Sequence, residues 1–69
     1  MRNDLFLIEM GKRIRQARKL KKMSLETLAK STSINISNLS FLERGRRNAH
    51  ILSIKSIADT LGIDVKDLI

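Results

Sequence analysis

The chain has 69 residues, enough for one domain with a small core, and it has no cysteine and one histidine, so disulfides and His/Cys metal clusters are excluded. Fourteen Lys and Arg against seven Asp and Glu give a net charge of +7, which indicates nucleic acid as the partner, with a membrane surface or an acidic protein as alternatives. The apolar run at residues 5–8 is far shorter than the ~20 residues that cross a bilayer, so we expect a cytoplasmic protein without membrane contact.

The first predicted helix follows a short arm at residues 1–3 and begins at Asp4, whose carboxylate can cap it. Apolar residues at three- and four-residue spacing form its buried stripe: Leu7, Met10, Ile14 and Ala17. Residues 1–9 are interpreted as an N-terminal extension of this helix. Leu5, Phe6 and Ile8 lie outside the stripe, so they either cover the edge of the domain or contact a second subunit.

A run of basic residues follows between positions 12 and 22, with no acidic residue among them. Such a run is usually a solvated face, although a helix that approaches DNA could use part of it to neutralise phosphates. The run consists of Lys12, Arg13, Arg15, Arg18, Lys19, Lys21 and Lys22.

Residues 24–45 contain two short amphipathic helical patterns with a break of a few residues between them, which predicts a helix-turn-helix. Ser24 can cap the first of these helices, and its apolar stripe consists of Leu25, Leu28 and Ala29. The turn-forming residues Ser31, Thr32 and Ser33 are predicted to end it.

The second helix of this motif begins after Asn35, which is predicted to be its cap. At about 100° per residue, Leu39 and Leu42 lie on one side of the helix and face the core. The opposite side is free to contact a partner and carries Ser37, Ser40, Phe41 and Arg44.

A basic loop at residues 44–48 follows, in which Gly45 supplies the left-handed conformation that ends the helix. Arginine side chains match phosphate oxygens in geometry, so Arg46 and Arg47 are predicted to bind phosphates. A fourth helix then carries Ile51, Ile54, Ile57, Ala58 and Leu61 and stops at Gly62. Asp64 is predicted to cap a short fifth helix that carries Val65, Leu68 and Ile69.

The sequence contains no motif for catalysis. His50 has no second histidine, cysteine or orienting carboxylate nearby in sequence, so a capping or surface position is expected rather than a role as a base or metal ligand. There is no glycine-rich phosphate loop and no paired acidic motif. We therefore expect neither an enzyme nor a cofactor, metal ion or small-molecule ligand.

From about residue 10 to residue 68, the chain resembles the lambda-repressor-like (Cro or xenobiotic-response-element type) helix-turn-helix DNA-binding domain. The order and spacing of the matching residues carry the resemblance: Gly11, Lys12, Arg13, Ile14, Arg15, Arg18, Ser24, Leu28, Ala29, Ile34, Leu39, Leu42, Glu43, Gly45, Ala58, Leu61, Gly62, Ile63 and Leu68. Four residues depart from the usual pattern: Leu25 replaces a Gln, Ser33 a Gly, and Ala49 and His50 a Pro-Ser pair.

The resemblance implies an all-α bundle of five short helices, in which helices 2 and 3 form the helix-turn-helix and helix 3 enters the major groove of double-stranded DNA. It also implies an internal ion pair between Arg18 and Glu43. The expected base-reading residues are Asn35, Ile36, Ser37, Ser40 and Phe41. Ile36 and Phe41 are expected to contact thymine methyls, and the alternative is that one of them packs against a neighbouring helix. The expected phosphate contacts are Lys22, Ser24, Arg44, Arg46, Arg47 and Asn48.

Because one recognition helix reads only a few base pairs, we expect a homodimer on a palindromic operator. The resemblance implies an interface at the C-terminal end, where the apolar residues are Leu52, Val65, Leu68 and Ile69. The alternative interface consists of Leu5, Phe6 and Ile8, with Leu68 and Ile69 closing the core.

Three classes of function remain open: a sequence-specific transcriptional regulator, an antitoxin-like protein-binding module and a nonspecific architectural DNA binder. We expect no sensor or toxin-binding segment, which favours the regulator. Within that class, residues 43–48 lack the usual proline and are followed by Ile51, Ser53, Ile54, Ile57 and Ala58. This pattern resembles that of the controller proteins of restriction-modification systems. A Cro-like phage or plasmid repressor is the alternative.

Overall fold

The computed structural model describes residues 4–69, and for Asp4 it describes the backbone alone. Four α-helices occur in this part of the chain, α1 (Asp4–Leu20), α2 (Leu25–Thr32), α3 (Ile36–Glu43) and α4 (Ile51–Leu61), followed by a 3-10 turn at Val65–Asp67. The all-α class is confirmed. The predicted short fifth helix is present as a single 3-10 turn and not as an α-helix, so the structure has four α-helices in the described residues where five helices were expected. The predicted arm at residues 1–3 and capping by the Asp4 side chain lie outside the described part.

Side-chain caps set the starts of three helices. The hydroxyl of Ser24 accepts a bond from Thr27 N–H at 3.0 Å, and Oδ1 of Asn35 accepts one from Ser37 N–H at 2.8 Å. Nδ1 of His50 accepts a bond from Leu52 N–H at 3.1 Å at the start of α4. Each cap satisfies a backbone donor that has no partner inside its helix, which confirms the predicted caps at Ser24 and Asn35 and the capping position of His50.

The end of α2 differs from the prediction. Ser31 and Thr32 belong to the helix, and only Ser33 leaves it, in the left-handed conformation with φ of 57°. Thr32 is buried at the end of the helix, and its hydroxyl donates to Leu28 O at 2.7 Å, so burial leaves no unpaired polar atom in this side chain.

The α3 helix ends at the predicted glycine. Gly45 has φ of +70°, its N–H donates to Leu42 O, and the N–H of Arg46 donates to Phe41 O. These two bonds form a Schellman motif, which needs a residue in the left-handed conformation at the position of Gly45. The motif turns the chain sharply, and Arg47 of the following loop lies back against α3.

The core lies between α1, α2, α3 and α4. Its fully buried side chains come from the predicted apolar stripes and from the 3-10 segment: Ile14, Leu28, Leu39, Ile57, Leu61 and Leu68. Gly11 lets α1 contact α3, because a Cβ there would lie 2.6 Å from the carbonyl oxygen of Glu43 and closer still to that of Leu42. The contact of α1 with α3 therefore depends on the absence of a side chain at this position.

The structure of the C-terminal segment removes one residue from the predicted dimer surface. Leu68 has no exposed area and closes the core, so it cannot contact a partner. The segment folds back because Val65–Asp67 reverses the chain after α4, and Asp64 N–H donates to the Asp67 carboxylate at 3.1 Å. Ile69 and Leu52 are exposed, at 47% and 70%, and Val65 is partly buried.

The first turns of α1 expose apolar side chains. Leu5 and Phe6 are more than half exposed, whereas Ile8 lies against Gly45, where an added Cβ would lie 2.6 Å from the Ile8 Cα. Ile8 therefore supports the loop after α3. Among residues 4–69, no helix is both long enough and apolar enough to span a membrane.

Candidate nucleic-acid interface

The helix-turn-helix consists of α2 and α3, joined by Ser33, Ile34 and Asn35. Leu39 and Leu42 hold α3 on the core, and Ile34 packs against that core in the turn. This burial leaves the opposite side of α3 at the surface, where Ile36 and Ser37 are exposed and Ser40 and Phe41 are partly exposed. The structure thus places the side chains predicted for base reading on the outer side and at the start of one helix.

Asn35 also has a structural role at this surface. Its Oδ1 caps α3 by accepting from the N–H groups of Ser37 and Asn38, at 2.8 and 3.4 Å. The amide NH₂ of Asn35 is therefore the part of the side chain that remains to donate to an acceptor outside the chain.

An ion pair between Arg18 and Glu43 joins α1 to the end of α3. Nε of Arg18 donates to one carboxylate oxygen at 2.6 Å and Nη2 donates to the other at 2.9 Å, while Nη1 donates to Met23 O. The two side chains are only 11% and 7% exposed. The hydrogen bond with Glu43 raises the pKa of Arg18 above its ordinary value, so this guanidinium stays charged. Because the carboxylate is occupied by Arg18, it presents little negative charge to a nucleic acid.

Phe41 lies beneath two arginines. The Cζ atoms of Arg44 and Arg47 lie 5.0 and 4.8 Å from the centre of its ring, and Arg47 also donates to Oδ1 of Asn38. These distances are within the range of cation–π contacts. The outer side of α3, which helical spacing predicted, therefore carries at its C-terminal end one aromatic ring with two guanidinium groups over it.

The other predicted phosphate contacts lie at the edges of this surface. Lys22, Ser24, Arg46 and Asn48 are exposed. Oδ1 of Asn48 accepts from Ala49 N–H at 2.9 Å, and the Ser24 hydroxyl lies 2.9 Å from that of Thr27. Lys22 lies in the turn after α1 with φ of 57°, and Arg46 follows the turn at Gly45. Exposed cations thus border the helix-turn-helix at the end of α1 and after α3.

Two residues of this surface were not singled out by the sequence analysis. Asn38 binds Arg47, a partner nine positions away, and no spacing rule indicates that contact. Arg15 lines the same shallow cleft as Ser40 and Arg44. The basic run contained Arg15, but only the packing of α1 against α3 distinguishes it from its neighbours.

The surface is suited to an anion. Within residues 4–69, no group of three His, Cys, Asp or Glu side chains is close enough together to hold a metal ion. Guanidinium groups of arginine contact phosphate oxygens and base edges, and so do exposed hydroxyl and amide groups.

Comparison with known proteins agrees with this geometry. A family model described as helix-turn-helix matches residues 14–68. An HTH-type transcriptional regulator, DdrOP3 of Deinococcus deserti, is 36% identical over 62 residues, which cover 90% of this chain and 48% of the relative. The chain thus spans about half the length of that protein.

Two further relatives are controller proteins. Control protein C.BamHI of Bacillus amyloliquefaciens is 37% identical over 70 residues, covering 100% of this chain and 85% of the relative. The crystal structure of the restriction-modification controller protein C.AhdI from Aeromonas hydrophila superposes with a TM-score of 0.90 at 34% identity, covering 94% of this chain and 98% of that structure. These similarities span nearly the whole chain, so they include the elements that carry the candidate interface.

Proposed function

This chain belongs to the helix-turn-helix family, and from that premise we propose that it is a transcriptional regulator that binds double-stranded DNA sequence-specifically. The observation that carries the proposal is the exposed side of α3, where Ile36, Ser37 and Ser40 lie beside exposed arginines. A helix held in this way enters the major groove, where side chains read base edges while flanking cations bind phosphates. We propose a cytoplasmic location because DNA is the proposed partner.

Each predicted residue has a proposed role. Ile36 has no hydrogen-bonding group, so it contacts a thymine methyl, whereas Ser37, Ser40 and the NH₂ group of Asn35 bind polar base edges. Phe41 borders the same surface. The proposed backbone contacts come from the cations and polar groups around α3: Lys22, Ser24, Arg44, Arg46, Arg47 and Asn48.

We propose that the protein controls a restriction-modification system. The likeness to C.BamHI and C.AhdI over nearly the full chain favours this function over a Cro-like phage or plasmid repressor. The neighbouring genes test it directly. A methyltransferase gene and an endonuclease gene beside this gene support the controller function, and integrase or replication genes support the repressor.

Selection of bound sequences from random duplexes tests the proposed DNA binding. We expect one palindromic consensus, and we expect binding to weaken steeply with salt because each neutralised phosphate contributes about −0.9 to the slope of log K against log salt. Ser37→Ala should change the preferred base at one position of each half-site and leave the melting temperature unchanged. Enrichment of no sequence, together with a salt slope near zero, would contradict the proposal.

We propose that the functional unit is a homodimer formed through Leu52, Val65 and Ile69. The exposure of Leu52 and Ile69 supports this surface, from which the buried Leu68 is excluded. Two copies related by a two-fold axis place their recognition helices on half-sites about one helical turn apart. An interface at Leu5, Phe6 and Ile8, which are also exposed, is the competing model.

The two interfaces are separated by a matched pair of double variants. Leu52→Asp with Ile69→Asp should give a folded monomer in sedimentation experiments, because a carboxylate cannot be buried unpaired in an apolar interface. Leu5→Asp with Phe6→Asp adds the same charge at the other apolar surface and should remain a dimer. The opposite pattern would assign the interface to the start of α1.

A further inference from the structure

Phe41 is not part of the hydrophobic core. It is partly buried, yet it does not pack on the core as other partly exposed apolar side chains do, such as Leu25 and Ile34. The groups placed over its ring are the guanidinium groups of Arg44 and Arg47, at 5.0 and 4.8 Å. The ring is therefore covered by cations that are themselves exposed to solvent.

Hydrogen bonds to α3 hold both guanidinium groups near the ring. Nε of Arg44 donates to Ser40 O at 3.4 Å, and Nη1 of Arg47 donates to Oδ1 of Asn38. Each of these bonds uses one N–H group of its arginine. The remaining N–H groups stay available for an external acceptor, and a phosphate can accept two of them from one guanidinium.

We propose that Phe41 is a positioning residue that holds Arg44 and Arg47 in place to bind the phosphates of DNA. This inference rests on the proposed function and replaces the thymine contact that the sequence analysis predicted for the ring. A free arginine loses many rotamers when it binds a phosphate, whereas one already placed by a ring and a hydrogen bond loses fewer. The ring thus increases affinity for any duplex, because phosphates are present in every sequence.

Binding of the operator and of an unrelated duplex to two variants tests this role. Phe41→Leu keeps an apolar side chain but removes the aromatic face, and it should weaken binding to both duplexes by the same factor, roughly tenfold for two cation–π contacts. Phe41→Tyr keeps the aromatic face and should bind within about twofold of the wild type. The sequence preference should be the same in all three proteins.

A mutant cycle tests the dependence on the arginines. In a protein with Arg44→Gln and Arg47→Gln, adding Phe41→Leu should change affinity by less than about twofold, because the ring has no cation left to hold. Arg46→Gln is the matched control, since Arg46 is an exposed arginine of the same loop and is not placed over the ring. In that background Phe41→Leu should keep its full effect.

The alternatives give different results. If Phe41 reads a thymine, Phe41→Leu will weaken operator binding alone, and replacing that thymine by uracil will weaken the wild type but not the variant. Unfolding of Phe41→Leu would assign the ring to the core. Either result overturns the inference while the wild type still binds its operator, whereas a wild type that binds no duplex removes the proposed function as well.

Discussion

Gly11→Ala is expected to destabilise the protein by roughly 3 kcal/mol, although alanine is the better helix former. A Cβ at this position would lie 2.6 Å from the carbonyl oxygen of Glu43, and the carbonyl oxygen of Leu42 is closer still. Both obstacles are backbone atoms of α3, so no side-chain rotation can relieve the overlap. The α1 helix would have to move away from the recognition helix, which would also strain the Arg18–Glu43 pair.

Chemical denaturation followed by circular dichroism measures this loss. Gln16→Ala is the control, because Gln16 is an exposed residue of the same helix and its replacement should change stability by at most ~0.5 kcal/mol. In a domain of this size, 3 kcal/mol lowers the melting temperature by more than about 10 °C. A variant more stable than the wild type by ~1 kcal/mol would mean that helix propensity decides this position and that the close approach is absent.

Arg18→Met is expected to cost about 3–5 kcal/mol, because it leaves the carboxylate of Glu43 without its partner at a position where that side chain is only 7% exposed. The raised pKa of Arg18 adds no pH dependence in the usual range. Stabilisation from a raised pKa is fully present below the pKa of an unfolded arginine, which is already strongly basic, and is lost only as the pH rises through the still higher pKa of the folded state. We therefore expect the destabilisation by Arg18→Met to contain no contribution from Arg18 titration between pH 5 and pH 9.

Two comparisons separate the charge effect from packing. Adding Glu43→Leu to Arg18→Met should recover most of the lost stability, because apolar residues can replace a buried pair at little cost when both charges are removed. Lys55→Met breaks the exposed pair of Lys55 with Asp59, whose side chains are 60% and 62% exposed, and should cost less than about 1 kcal/mol. Equal losses in Arg18→Met and Lys55→Met would show that burial does not strengthen the Arg18 pair.

The sequence alone predicted the features that arise from interactions within a few residues. Caps at Ser24 and Asn35, the turn at Gly45 and the apolar stripe of α1 depend on hydrogen bonds or helical spacing over at most four or five positions. The all-α class follows from these local patterns. The resemblance to a known family, rather than periodicity, supplied the pairing of Arg18 with Glu43.

Tertiary structure decided which local tendencies prevail and which distant side chains meet. Thr32 lies within α2, where packing buries it and a bond to Leu28 O satisfies its hydroxyl, and Leu68 became part of the core because the 3-10 turn packs against α4. The Arg47 contacts with Asn38 and Phe41 depend on how the loop after Gly45 returns to α3. Such contacts join residues too far apart for helical spacing to relate them, so they are determined only when the helices and the loop are packed together.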